Sequence, residues 1–125
     1  MISWWNKTVT LYRYTETTGS DGRHHVSYIR SVVNNCSWSK KYSKAMQADS
    51  TSVHRLRIIC RMPAGLFEPH PGDYMFLGSV IVENPNAKTL NAFIEADRTG
   101  CKVTSVSDNT LDGVLPHWHM EGDAV

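Results

Sequence analysis

Between Val53 and Pro63 the chain reads VHRLRIICRMP, and this stretch constrains the fold more than any other. Leu56, Ile58, Cys60 and Met62 fall on one side of an extended segment, while Arg55, Arg57 and Arg61 fall on the other. A period of two sends successive side chains to opposite faces, so the segment is a strand with one face in a core and the other toward water. Between Arg55 and Arg61, Ile59 is the only apolar residue on the charged side. Pro63 ends the strand because it has no N–H to give to a ladder. Pro71-Gly72-Asp73 then marks a turn, and Tyr74-Met75-Phe76-Leu77 is a second strand, apolar throughout. Gly78 separates it from Val80-Ile81-Val82. A chain organised around this stretch is a β-domain.

The flanking sequence agrees. Lys7 to Tyr14 alternates, with Val9 and Leu11 on one side, and Gly19-Ser20-Asp21-Gly22 is a turn signal. Arg23 to Arg30 resumes a strand, which predicts a hairpin. Ser31 to Trp38 predicts a third strand, interrupted by a bulge at Asn34-Asn35. Residues Ser39 to Ser52 (SKKYSKAMQADSTS) carry neither a helical stripe nor alternation. A patternless segment of that length between strands predicts a long loop with a functional role or one lacking order. Leu90, Phe93 and Ile94 have i, i+3, i+4 spacing with Gly100 just beyond, which predicts a helix over Ala87–Asp97. Cys101 to Ser107 is a strand, Asp108 to Gly113 a polar loop, and Pro116 to Gly122 a last strand with Trp118 and Met120 inward. The expected fold is mainly β: a small antiparallel β-barrel or sandwich with one short helix and a long inter-strand loop. The expected domain organisation is a single domain over residues 1–125, with 39–52 projecting from it.

At 125 residues a core forms without disulfides, and the formal net charge of +1 argues against a protein that wraps DNA by neutralising its phosphates. Cys36, Cys60 and Cys101 have no paired spacing and sit in strand-like contexts, so they read as reduced core thiols. Ile2-Ser3-Trp4-Trp5 is too short for a signal peptide, and no apolar run reaches membrane-spanning length. The expectation is a soluble chain that is not secreted.

The residues that carry chemistry elsewhere do not assemble a motif here. His117 and His119 flank Trp118, and His24 and His25 are adjacent, but neither pair comes with the further Cys, His or carboxylate ligands that a zinc site needs. No nucleophile elbow accompanies a serine and no base-recruiting motif accompanies a cysteine. Gly19 to Gly22 lacks the Gly-Lys-Ser/Thr of a phosphate loop. The sequence therefore predicts no enzyme, no cofactor and no metal. Trp4 and Trp5 read equally as an anchor for a partner or as a cap on the end of a barrel. Arg55, Arg57 and Arg61 form either an interface or a solvated sheet face.

The order of several short motifs resembles a group of small morphogenesis proteins of tailed phages that infect Gram-positive bacteria. The pieces are Trp5-Asn6-Lys7-Thr8-Val9-Thr10-Leu11-Tyr12, Asn34-Asn35-Cys36-Ser37-Trp38, the Lys/Ser-rich segment, and Ile58 to Pro63. Gly72-Asp73 with Leu77-Gly78, and Pro116-His117-Trp118-His119-Met120-Glu121-Gly122, complete them. More distantly the layout is similar to head-closure (stopper) proteins, small β-barrels that form a ring between the portal–adaptor complex and the tail. The resemblance implies a structural virion protein of the phage neck, assembled in the host cytoplasm, as a homo-oligomeric ring of six or twelve copies. Its implied partners are the portal or adaptor ring, tail-terminator or tail-tube proteins, and packaged double-stranded DNA passing through without sequence-specific binding. It places an assembly or channel loop at Lys41, Lys44, Ala45, Met46 and Gln47, with Trp4, Trp5, Arg55, Arg57 and Arg61 as possible interface residues. The helix over Ala87–Asp97 leaves an adaptor or tail-terminator role open, and the contrasting reading is a monomeric ligand- or metal-binding β-barrel.

Overall fold

The computed structural model describes residues 5–46, 52–65, 67–97, 99–111, 113 and 115–123, with the backbone alone for 42–46 and 52–55. Its elements in order are β1 (Lys7–Thr18), β2 (His24–Met46), β3 (Ser52–Pro63), β4 (Tyr74–Leu77), α1 (Ala87–Asp97), β5 (Gly100–Asn109) and β6 (His117–Asp123). The strands close into an antiparallel barrel in the order β1-β2-β3-β6-β5-β4. The expected mainly-β barrel with one short helix is the fold of this chain.

Strand β2 holds the barrel together, and it is longer than its sequence suggests. Residues His24 to Cys36 pair with β1, and Ser37 to Met46 pair with β3. The strand bends between these halves at Asn35, which sits at φ 62, opposite the register shift between Lys7 and Val9. Asparagine tolerates this left-handed conformation better than most residues, so the expected bulge is real and lets one strand serve two sheets. One sheet comprises β1, the first half of β2, β4 and the start of β5. The other comprises the second half of β2, β3, β6 and the rest of β5.

The expected loop over Ser39 to Ser52 is corrected by this pairing. Ser39 to Met46 continue β2, in register with Ile59 back to Ser52, so the segment is a β-ribbon. Backbone partners from β3 hold it extended, and such pairing leaves no mark in a stretch with few apolar residues. The tip, residues 47–51, lies outside the described residues.

Two apolar layers hold the fold. The barrel interior is filled by Val9, Leu11, Val33, Cys36, Ile58, Cys60, Met62, Met75, Cys101, Val103 and Met120. The alternation of β3 is thus realised: Ile58, Cys60 and Met62 are buried, and Leu56 is half-buried near the rim. A second layer lies outside β1 and β4, where Tyr12, Tyr74 and Phe76 meet Leu90 and Ile94 of α1. Val9 to Tyr12 are consequently buried on both faces of β1.

Val80-Ile81-Val82 forms no strand and runs over the outer side of β1. The Thr10 hydroxyl donates to the Gly78 carbonyl at 2.7 Å and accepts from the Val80 N–H at 2.9 Å. The Tyr12 hydroxyl accepts from the Val82 N–H at 2.7 Å. Helix α1 starts where expected, with Asn86 as its cap: the Asn86 Oδ1 accepts from the Thr89 N–H at 3.0 Å. Gly100, expected to follow the helix end, has a different task at the start of β5. A Cβ there would strike the Phe76 ring and the Met75 carbonyl.

Candidate assembly surface

Among the described residues no helix or strand packs over the outer face of β3 and β6. The register sets Arg57 opposite Asp123, Ile59 opposite Glu121, and Arg61 opposite His119. Arg57 is half-buried and fully engaged within the chain. Its guanidinium lies 3.3 Å from Asp123, 3.8 Å from Glu121 and 3.2 Å from the Thr104 hydroxyl. Within the chain, Arg57, expected as a possible interface residue, ties β3 to β5 and β6. Arg61 stands beside His119, whose pKa is lowered first by partial burial and then by the Arg61 charge. Glu121, 3.6 Å from His119, pulls the other way.

Further along the ribbon the register sets Lys41 opposite Arg57, Ser43 opposite Arg55, Lys44 opposite His54, Ala45 opposite Val53 and Met46 opposite Ser52. Lys40 and Lys41 are exposed, and among the described residues no carboxylate lies within ion-pair distance of either. Gln47 and Trp4 lie outside the described residues. Trp5 is only 6% exposed and meets the His117 ring edge-on at 5.5 Å. Of its two readings, a cap on the barrel is the one that burial supports. His117 is also tied locally, with Nδ1 2.7 Å from the Leu115 carbonyl oxygen.

The three interior thiols are buried and differ in acidity: the hydrogen bond between Cys36 and Cys60 holds the Cys36 thiol below its ordinary value. Cys60 is pushed well above its ordinary value, first by its hydrogen bond with Cys36 and then by burial. Burial, reinforced by the Asp123 charge, pushes the Cys101 thiol up to about 12. A thiol that stays protonated at neutral pH is neither nucleophile nor ready ligand. Among the described residues no three His, Cys, Asp or Glu side chains gather as a metal site. A cleft of about 380 Å³ lies between α1 and β5, lined by Asn91, Ile94, Glu95, Cys101, Lys102, Thr104 and Asp123. Its lining carries two carboxylates, Glu95 and Asp123, and one lysine, Lys102, and Asp123 is already paired with Arg57. No described helix is long and apolar enough to cross a membrane.

One signal in the sequence bears on this surface, and the overall charge conceals it. From Gly22 to Pro63 there are eight Lys and Arg residues against a single acid, Asp49, whereas from Ala64 to Val125 there are three against nine. The near-neutral total thus joins a basic segment to an acidic one. The basic segment is β2 and β3 with their ribbon.

Residues 4–123 match DUF6751, a family of unknown function. The chain belongs to this family. The DUF6751 match takes in all six strands and α1 of this chain. No curated protein matches the chain.

Proposed function

We propose that this DUF6751 protein is a structural component of a tailed-phage neck, a head-closure (stopper) or head–tail connector ring between the portal–adaptor complex and the tail. In this reading it has no catalytic role, works in the virion after assembly in the host cytoplasm, and helps retain packaged DNA. The observation that carries the reading is the ribbon of β2 and β3, which runs on past the last β3–β6 pair at Arg57, with Lys40 and Lys41 at its base and Ser43 opposite Arg55 and Lys44 opposite His54 along it. An arm with so little apolar sequence contributes little to the core, so its extension and charge are explained by what it touches. Cations so placed suit DNA phosphates in a channel or acidic residues of an adjacent ring. The motif order shared with small phage morphogenesis proteins supports the same conclusion. A filled interior weighs against the alternative of a ligand carried inside the barrel.

The test is a shortened arm. Lys41 and Arg57 are directly paired, so a two-residue Asn-Gly turn joining them replaces residues 42–56 without disturbing the register below. The shortened chain is expected to fold, while particles carrying it lose DNA or fail to join heads to tails. Infectious particles built with the shortened chain would refute the role of the arm, and absence of the protein from purified virions would refute the neck assignment.

A further inference from the structure

The two halves of β2 protect their outer edges differently. The half that pairs with β3 carries Lys40, Lys41 and Lys44, and lysines along an edge deter strand addition. The half that pairs with β1 has no lysine and no proline from His24 to Val33, and its register with β1 runs without a bulge over that span. Among the described residues no strand pairs with its other edge. Three β-branched side chains stand exposed along it: Val26 at 52%, Ile29 at 46% and Val32 at 41%. Val26 and Val32 lie on one face of the strand and Ile29 on the other, and a long edge of this kind, apolar on both faces and unguarded by lysine or proline, invites another strand.

The sequence of the edge indicates which strand. Residues 26–32 read Val-Ser-Tyr-Ile-Arg-Ser-Val, a near-palindrome about Ile29. An antiparallel copy related by a twofold axis through Ile29 sets Val26 opposite Val32, Ser27 opposite Ser31, Tyr28 opposite Arg30, and Ile29 opposite itself. The valine and isoleucine pairs set β-branched on β-branched side chains, Ser27 meets Ser31, and Tyr28 borders Arg30, whose guanidinium also donates to the Val80 carbonyl and the Ser79 hydroxyl of its own chain. No like charges meet, and the segment contains no acid. We propose that two copies of this chain associate through this edge, β2 to β2, as an isologous dimer whose first sheet continues across the twofold axis. The contact is independent of the neck reading, because a twofold pairing is distinct from the rotation that closes a ring.

Ile29→Cys tests both the partner and the register. Two copies of this variant bring their introduced thiols face to face on the axis. Oxidised glutathione is therefore expected to link them: the S–S bond between the copies forms as the glutathione S–S bond breaks, and the two electrons and two thiol protons leave on two molecules of reduced glutathione. The parent chain serves as control, since its cysteines are buried. Val26→Cys and Val32→Cys are each expected to stay unlinked alone and to form a mixed disulfide when combined. Sedimentation of the parent should give a dimer, and Ile29→Lys, which sets two ammonium groups together on an exposed edge, should weaken it at least about tenfold without altering the thermal melt. A parent that remains monomeric, an Ile29→Cys variant that does not link, or linking of Val26→Cys alone would each overturn the proposal. Larger rings that persist unchanged with Ile29→Lys would also overturn it, while leaving the neck assignment standing.

Discussion

The two walls of the barrel are built on opposite principles. The wall of β1 and β4 has both faces apolar: Val9, Leu11 and Met75 enter the interior, while Tyr12, Tyr74 and Phe76 lie under α1. The wall of β3 and β6 has a single apolar face, and its other side carries Arg57, Arg61, His119 and Glu121 in a layer of cross-strand charges. What differs is whether a second element covers the outer side. The covered wall depends on close packing, and the open wall depends on register. Damage to the first should therefore cost far more than damage to the second.

The sharpest comparison is Phe76→Ala against Ile59→Ala. Phe76 is fully buried between strand and helix and packs edge-on against Phe93 at 5.3 Å. Its truncation is expected to cost about 3–5 kcal/mol in denaturant unfolding. Ile59, half-exposed on the open wall, is expected to cost about 0.5 kcal/mol. Equal losses would break the comparison. Next in size is Thr10→Val, which keeps the shape but removes the hydroxyl that holds the Gly78 carbonyl and the Val80 N–H. Leaving those groups unpaired beneath the crossing segment is expected to cost about 1–3 kcal/mol by the same measurement.

Smaller effects come from titration. Cys101 has its folded pKa raised from 9.0 to about 12, so the unfolded chain releases its proton first. That contribution to stability is complete below pH 9 and is lost as pH rises toward 12. Melting temperature followed across that range should fall less steeply in Cys101→Ala, relative to its own value at neutral pH. The smallest effect is expected at His119, whose folded pKa lies below 6.5. The unfolded chain takes up the proton first on acidification, so this stability is present above pH 6.5 and declines below it. His119→Gln should flatten the mildly acidic limb of the stability curve, and an unchanged limb would show that the open wall does not sense this charge.

The contrast between the walls explains which parts of the fold could be read in advance. Alternation at Leu56, Ile58, Cys60 and Met62 marks a one-faced strand, and the unbroken run Tyr74 to Leu77 marks a strand covered on both sides. Helix α1 was legible because its stripe of Leu90, Phe93 and Ile94 is local. The continuity of β2 was not: Arg23–Arg30 and Ser31–Trp38 read as two strands, and the polar run after Trp38 as a loop, whereas His24–Met46 is one strand. Arg57 illustrates the same limit: Glu121 and Asp123, which occupy it, are remote in sequence and adjacent only through β3–β6 pairing. Lys41 and Lys44 stand out in the sequence, but their register is set by residues beyond the turn. The apolar edge around Ile29 was hidden because a strand sequence does not say on which side it is paired.

The bend at Asn35 also sets an order of events for a chain emerging from disorder. Strands β1, β2 and β3 form a meander of consecutive hairpins, so their pairings join neighbours in sequence. Closure joins Val9–Tyr12 to Leu77–Tyr74 and β3 to β6, which are distant in the chain. Short loops close at smaller entropic cost, so the meander is expected early and barrel closure late. Substitutions at the Asn35 bend should then slow folding, whereas those at the β4 and β6 seams should chiefly speed unfolding. One residue in a left-handed conformation would thus act as a clock for the whole barrel.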